Sequence, residues 1–248
     1  MLTQYRLTLR PEAGQPVPPE TAYRLYAALL ESSPSSFGEA AHRDAATPVS
    51  QFLVPGPEGT LLWTLNLLGR ESEAALSPIL ETQEHYLLTR RGTLLRVLRR
   101  EHQGLGGAEE LLARASGCSG AHRLRFCTST AFKSRGQYQN LPTPRLVIQS
   151  LLRKWNACLT DCPIEDEDGQ GMEALAAGLT VSGFHLESRS YRLKGTVIPG
   201  FTGELTLDNR LTGFQRQLTD ALLLFSGYSG IGIKTALGMG GVEETPLN

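Results

Sequence analysis

The chain has 248 residues, of which 40% are hydrophobic, and its formal net charge is −1 at pH 7. This length can bury one large core or two smaller ones, and the balanced charge argues against a protein that coats nucleic acid over its whole surface. The N-terminal residues lack the apolar core of a signal peptide, and no run approaches the roughly 18 apolar residues of a membrane helix. We therefore expect a cytoplasmic protein without membrane segments.

The cysteines give no sign of a metal centre. Their spacing contains no C-x-x-C, and no pair of histidines follows, so we expect reduced thiols and neither a metal nor a cofactor. The four residues are Cys118, Cys127, Cys158 and Cys162.

In the first half, hydrophobic patterning predicts strand, helix, two strands, helix and two strands. The predicted elements are a strand over 4–11, a helix over 18–34, a strand pair over 50–56 and 60–69, a short helix over 71–80 and two strands within 85–101. Alternation marks the strands, and prolines bound the first helix. Pro78 is expected to end the second helix early. This order is typical of the ferredoxin-like fold, which RNA-recognition modules also use.

The second half repeats this order after a glycine-rich break at Gly104–Gly107 and a short helix. Its predicted elements are a strand over 122–132, a polar loop over 133–144, a helix over 145–159, two strands within 179–200, an amphipathic helix over 209–227 and a strand near 239–243. We place a domain boundary between residues 116 and 117. The sequence therefore predicts an α+β protein with two tandem ferredoxin-like domains, 1–116 and 117–248, each β-α-β-β-α-β.

The second half also carries a strongly basic stretch. Residues 111–160 contain no Asp or Glu, whereas they contain eight basic residues with four aromatic residues between them. Basic groups neutralise phosphates and aromatic rings stack on unpaired bases, so the stretch favours an anionic partner. A solvated basic surface over ordinary core aromatics is the alternative.

Residues 227–241 read GYSGIGIKTALGMGG, and six of these fifteen residues are glycine. The spacing fails as a P-loop, because Ile233 stands where the lysine should, and as a dinucleotide fingerprint, because Thr235 stands where the third glycine should. A helix also leads into the segment, whereas both motifs run from a strand into a helix. We expect no nucleotide cofactor, and a backbone ribbon rich in N–H donors that suits a phosphodiester chain. A tight helix-to-strand connection is the alternative.

Three stretches resemble a known family. LTDALLLFSGYSGIGIKTALGMGGV resembles the C-terminal signature of the CRISPR-associated endoribonucleases that cut CRISPR repeat RNA, the Cas6 family. RLRFCTSTAFKSRGQYQNLPTPRLVIQSLLRKWNA is similar to the strand, loop and helix of that family, and FGEAAHRDAATPVSQFLV to the segment with its catalytic histidine. The resemblance implies two ferredoxin-like domains and metal-independent cleavage, in which a 2′-hydroxyl attacks the adjacent phosphate to give a 2′,3′-cyclic phosphate and a 5′-hydroxyl.

The resemblance also implies site residues. His42 is the expected general base or acid, since the pKa of histidine lies near the working pH, and Arg43 and Tyr26 are expected beside it. Family members often carry a lysine a few residues after this histidine, but here Arg43 follows and no lysine does. The expected RNA-binding residues are Lys133, Arg135, Arg145, Lys154, Tyr228, Ser229, Gly230, Gly232, Lys234 and Gly238.

The expected partners are CRISPR repeat RNA, a CRISPR effector complex and a second copy of the chain in a homodimer. Two other functions stay open at this point: a catalytically inactive RNA-binding subunit of a CRISPR ribonucleoprotein, and a small-molecule enzyme that binds a phosphorylated cofactor at the glycines. Of the remaining histidines, His102 is a spare catalytic candidate, and His85, His122 and His185 are expected to be structural or on the surface.

Overall fold

The structure is a computed structural model, and it describes residues 1–12, 17–34, 37–38, 48–88 and 92–247. Two main antiparallel sheets form, one from each half of the chain, and helices cover each of them; two further sheets are two-stranded hairpins. The described residues contain no helix that is both long and apolar enough to span a membrane.

The elements of the first half are β1 (Leu2–Pro11), α1 (Ala22–Glu31), β2 (Val49–Pro55), β3 (Leu61–Leu68), α2 (Arg70–Thr82), β4 (His85–Leu88) and β5 (Thr93–Leu105), and they form a sheet of order β2-β3-β1-β5-β4. The first four strands in this order have the ferredoxin-like arrangement, and β4 extends the sheet as a hairpin with β5. The sequence-based prediction of the fold is therefore confirmed for this half.

Alternating side chains build the core of the first half. Tyr5, Leu7 and Leu9 point to one face of β1, as the period of two in a strand requires, and all three are buried. They pack with Leu25 and Leu29 from α1 in one hydrophobic cluster. Because these positions recur at the helical spacing of four, the same pattern that predicts the helix also decides which face it buries.

Helix α2 continues through Pro78, contrary to our expectation that the proline ends it early. A proline inside a helix costs about 3 kcal/mol. Leu76 and Leu80 flank it and are completely buried, and burial of each contributes about 1.5–3 kcal/mol. The tertiary packing of these two side chains therefore outweighs the local cost.

The second half begins with α3 (Ala108–Ala115) and continues with β6 (Ala121–Thr130), β7 (Phe132–Ser134), β8 (Gln137–Gln139), α4 (Pro144–Cys158), α5 (Gln170–Ala177), β9 (Leu179–Ser188), β10 (Tyr191–Leu193), β11 (Thr196–Ile198), β12 (Phe201–Asn209), α6 (Gly213–Ser229) and β13 (Val242–Leu247). Its main sheet has the order β13-β6-β12-β9, which is again the ferredoxin-like order. The predicted repetition of the fold is confirmed. Helix α3 belongs to the predicted domain 1–116, yet it packs into the core of the second half. The domain boundary between residues 116 and 117 stays a prediction.

Two hairpins, one further strand and one helix of the second half depart from the sequence-based prediction. The predicted polar loop contains the hairpin β7–β8, and a second hairpin, β10–β11, stands between the two main strands. Strand β12 occupies residues expected to lead into a helix, and α5 follows residues 161–168, five of which are acidic. The hairpins are three-residue strands around Arg135–Gly136 and Lys194–Gly195, all at positive φ. Such short strands carry too little periodicity to be recognised.

Candidate RNA-binding cleft

A cleft of about 830 Å³ lies where the two halves meet. Helix α1 and the start of β2 form one wall, and α4, the hairpin β7–β8 and the segment 229–237 form the other. Five cationic side chains line it: Lys133, Arg153, Lys154, Lys194 and Lys234. Among the described residues, no Asp or Glu lines the cleft. It therefore offers concentrated positive charge to an anion.

The cations are presented by different elements. Lys133 lies on β7, Lys194 at the turn of β10–β11 and Lys234 beside the turn Thr235–Leu237, and all three side chains are exposed. Lys194 lies outside the acid-free stretch, and sequence reasoning missed it. The signal that could have found it is the Lys-Gly turn, which repeats the Arg135–Gly136 turn of the other hairpin.

Aromatic rings accompany the cations. Tyr138 on β8 is 38% exposed, and Tyr23 on α1 accepts a hydrogen bond of 2.9 Å from the Arg24 guanidinium. Both line the cleft. Tyr138 is exposed and Tyr23 is half-buried, and aromatic rings beside cations can stack on unpaired bases.

Two predicted cationic contacts lie away from the cleft lining. Arg145, at the start of α4, pairs with Glu173 of α5 at 2.7 Å. Arg135 is exposed at the tip of the hairpin β7–β8, so it extends from the same hairpin that carries Lys133 into the cleft. RNA binding by both residues stays a prediction.

Tyr26 lies in the lining but is almost completely buried. Burial raises the pKa of its phenol well above the usual value, and its hydroxyl has no hydrogen-bond partner among the described residues. A buried phenol with a raised pKa holds its proton tightly, so the packing of α1 accounts for this residue at least as well as a catalytic role does.

His42 and Arg43 lie outside the described residues. Leu30 and Val49, which stand before and after that part of the chain, both line the cleft. Of the other histidines, His102 stacks on Tyr5 at 5.5 Å between ring centroids and is not part of the lining. His85 and His185 are exposed, as expected.

His122 is completely buried between two carboxylates. Its Nδ1 lies 2.7 Å from Glu244 Oε1 and its Nε2 lies 3.1 Å from Asp220 Oδ1. Burial by itself lowers the pKa of His122, but the hydrogen bonds and charges of the two carboxylates outweigh it and raise the pKa to about 9. The imidazolium thus joins β6, α6 and β13, which confirms the structural role expected for it.

The backbone of the glycine-rich segment, residues 227–241, forms its hydrogen bonds mainly inside the protein. The N–H groups of Gly230, Ile231, Gly232, Ile233, Gly240 and Gly241 all donate to protein acceptors. The expectation of a free, donor-rich ribbon is therefore wrong for these positions, because a buried amide must find a partner in the fold. Ser229, Gly230 and Gly238 are themselves buried, and any contact of theirs with RNA stays a prediction.

Close packing explains the glycines instead. A Cβ on Gly232 would lie 2.3 Å from the Ala131 carbonyl oxygen. At Gly238, where φ is +96°, a Cβ would lie 2.5 Å from the Tyr191 hydroxyl and 2.6 Å from Ala22 Cβ of α1. Since Ala22 belongs to the first half, the absence of a side chain at Gly238 lets the two halves approach each other.

A polar seam on the first half receives this segment. Gln4 Nε2 donates to the Gly227 carbonyl at 3.3 Å, Gln51 Nε2 to that of Ala236 at 3.0 Å, and the Ser50 hydroxyl to that of Tyr228. Sequence reasoning missed these residues, although Ser50 and Gln51 interrupt an apolar strand. They point to opposite faces of β2, so the segment passes along the edge of that strand. The seam fixes how the two halves sit together.

The predicted RNA-binding residues of this segment lie in two different clefts. Tyr228 lines a second, smaller cleft of about 370 Å³ together with Arg6 and Arg114, whereas Lys234 lines the large one. Lys154 also lines the large cleft, but its Nζ donates to the Ser229 and Gly230 carbonyls and the Thr235 hydroxyl. Burial lowers the pKa of Lys154 to about 7.

The fold and the cleft together define an RNA-binding α+β protein built from two ferredoxin-like halves. A sequence model of the family "CRISPR-associated endoribonuclease Cas6" matches residues 124–242. Relatives of that description from Mycobacterium tuberculosis and Streptococcus thermophilus are each 30% identical, and the matches cover 90% of this chain and 71% and 91% of theirs. The chain belongs to the Cas6 family of endoribonucleases, which confirms the resemblance.

Solved structures agree with this assignment. A Cas6 product complex has a TM-score of 0.81 and 27% identity, with 98% of this chain and 99% of that chain covered. Cas6 of Thermus thermophilus has a TM-score of 0.72 and 27% identity, with 99% and 98% covered. A Cas6-related protein of Pyrococcus furiosus, at 14% identity and a TM-score of 0.63, shares the fold.

Proposed function

We propose that the protein cuts the repeat sequences of precursor CRISPR RNA by a metal-independent transesterification. The observation that carries this proposal is the cleft between the two halves, which four exposed cationic side chains line and to which the described residues contribute no carboxylate. Such a lining suits the phosphates of an RNA strand. The Cas6 product complex that this chain resembles supports the choice of RNA as ligand.

The chemistry needs little beyond proton transfer and positive charge. The RNA supplies the nucleophile: its 2′-oxygen bonds to the adjacent phosphorus, and the bond from phosphorus to the 5′-oxygen breaks. One group must take the proton of the 2′-hydroxyl, and another must give a proton to the leaving 5′-oxygen. Cations beside the phosphoryl oxygens stabilise the charge that develops on them.

We assign the proton transfer to His42, as base or acid, with Arg43 as a charge stabiliser, since a guanidinium is a poor proton donor. The position of His42 in the chain supports this assignment. It precedes Val49, a lining residue, by seven positions, so at most about 25 Å of extended chain separates them. Tyr26 stays a candidate for contact with the reacting groups, and Lys133, Lys194, Lys234 and Arg153 are the proposed phosphate contacts.

The test compares wild type, His42→Ala and His102→Ala on one repeat RNA in EDTA, under single-turnover conditions. We expect His42→Ala to slow cleavage by about 10²–10⁴-fold, the usual contribution of general acid–base catalysis, while RNA affinity stays the same. His102→Ala is the matched control and should cut normally, with a 2′,3′-cyclic phosphate on the product. A 2′-deoxy nucleotide at the scissile position should abolish cleavage.

Other outcomes would separate the alternatives. Unchanged cleavage by His42→Ala would remove His42 from the mechanism, and loss of cleavage in EDTA would overturn metal independence. RNA binding by the wild type without cleavage would instead favour a catalytically inactive RNA-binding subunit. Assembly with a CRISPR effector complex, a homodimer and a cytoplasmic location stay predictions from the sequence.

A further inference from the structure

Lys154 has an unusual set of partners for a lysine in a cationic cleft. It lies on α4, and its Nζ is 3.0 Å from the carbonyl oxygens of Ser229 and Gly230 and 3.2 Å from the Thr235 hydroxyl oxygen. An ammonium group has three N–H donors and no acceptor. The protein therefore uses all three donors, and none is left for a phosphate of the RNA.

The three acceptors lie at both ends of a short piece of the glycine-rich segment. Ser229 is the last residue of α6, where unpaired carbonyls favour a cation, and Thr235 begins the turn Thr235–Leu237. One turn earlier on α4, Ser150 Oγ accepts the N–H of Gly232 at 2.8 Å. Helix α4 thus holds residues 229–235 through four hydrogen bonds.

Lys234 is the residue that this arrangement presents. It directly precedes Thr235, has a φ of +56°, and exposes its side chain in the cleft. A lysine with positive φ needs surrounding structure to hold it, because L-residues disfavour that conformation. The bonds of Lys154 lie on the backbone of Ser229 and Gly230, five and four residues before Lys234, and on the side chain of Thr235 immediately after it.

We propose that Lys154 is a positioning residue of the RNA cleft, which holds the backbone from Ser229 to Thr235 so that Lys234 meets a phosphate. Lys154 itself does not contact the RNA. This role rests on the proposed function of the cleft, and it differs from the direct RNA contact that the sequence suggests for Lys154.

The test is a double-mutant cycle on repeat-RNA affinity with Lys154→Met, Lys234→Met and Lys133→Met. Loss of one charged contact should weaken binding by about tenfold. Because Lys154 acts through Lys234, the variant with both changes should bind like Lys234→Met alone, within about twofold. In the variant with both Lys154→Met and Lys133→Met, the two losses of RNA affinity should instead multiply. If the losses from Lys154→Met and Lys234→Met also multiplied, the positioning role would be overturned.

A second measurement does not depend on RNA. Amide hydrogen exchange of the free protein should become faster over residues 229–238 in Lys154→Met, whereas Arg153→Met, which removes a neighbouring charge from the same cleft, should leave it unchanged. Thr235→Val removes a single acceptor, so it gives a milder form of the same change if Lys154→Met does not fold. Unchanged amide exchange over residues 229–238 in both Lys154→Met and Thr235→Val would overturn the proposal. A wild type that bound no RNA would refute the proposed function, while faster exchange would still show that Lys154 anchors the segment.

Discussion

Strands β2 and β9 come second in chain order in the main sheets of the two halves and occupy the same edge of each sheet, yet the two strands have opposite surroundings. Strand β2 is buried over its first five residues, and the glycine-rich segment covers its edge. Strand β9 is mostly exposed, with Phe184 at 74% exposure. The difference teaches that topology alone does not decide burial. The segment leaves α6 of the second half and packs on the first half, and there is no equivalent segment after α2 of the first half.

The halves also differ in their buried charges. The second half holds the triad of His122, Asp220 and Glu244, which ties together the elements before and after the glycine-rich segment. Asn209 Nδ2 also donates to Asp220 at 2.7 Å. On the corresponding, helix-covered face of β1 in the first half, the hydroxyls of Thr3 and Tyr5 donate to Glu73 and Glu81 of α2 at 2.8 Å and 3.0 Å. The first half therefore pairs its carboxylates with neutral hydroxyl donors, where the second half pairs them with an imidazolium.

The largest expected effect comes from removing the centre of this triad. His122→Leu would leave two buried carboxylates without their donor, which should destabilise the protein by about 3–5 kcal/mol. Urea denaturation measures the change. His185→Leu is the matched control in the same sheet: its side chain is 83% exposed, so it should change stability by less than about 0.5 kcal/mol. Equal effects of the two variants would contradict the comparison.

The same pair of variants has a pH signature. The pKa of His122 is raised from 6.5 to about 9 in the folded protein, so its contribution to stability is complete below pH 6.5 and is lost as pH rises through 9. The stability difference between wild type and His122→Leu should therefore shrink between pH 6.5 and pH 9. A difference that stayed constant over this range would show that His122 is neutral in the folded state.

A smaller effect is expected at the contact between the halves. Gly238→Ala would combine an unfavourable φ of +96° with contacts to Tyr191 and Ala22, at a cost of about 2–3 kcal/mol. Gly136→Ala at the hairpin tip has a φ of +80° and meets nothing within 4 Å, so it should cost only about 1 kcal/mol. Thermal unfolding of both variants measures the difference, and equal costs would argue against tight packing of the halves at Gly238.

The smallest effect concerns Lys194, the cation at the turn of the hairpin β10–β11. Lys194→Met should weaken repeat-RNA binding by about three- to tenfold and reduce the slope of log affinity against log salt by about one. Arg99→Met on β5 is the control, because Arg99 pairs with Glu101 on the exposed part of that strand, away from the cleft lining. An unchanged salt slope in Lys194→Met would remove the second hairpin from the RNA contact.

Sequence reasoning predicted the long elements because their signals are local. Hydrophobic residues alternate with polar ones in β1 and recur every three to four positions in α1. Each pattern therefore indicates both the type of the element and the face that it buries. It missed β12 and the two hairpins, and it misjudged Pro78, where burial of Leu76 and Leu80 outweighs the local preference. For the site, it indicated the basic half and the glycine-rich segment, but it assigned the glycines to RNA rather than to packing.

The sequence by itself determined the ferredoxin-like repeat, the acid-free stretch that supplies most of the cleft cations, and the family. The tertiary structure decided what each group does, because the partners come from distant parts of the chain. Lys154 and Lys234 look alike as sequence, yet one meets three acceptors at the two ends of residues 229–235 and the other faces the open cleft. Desolvation and hydrogen bonding depend on these neighbours, and only the packing of the two halves brings them together.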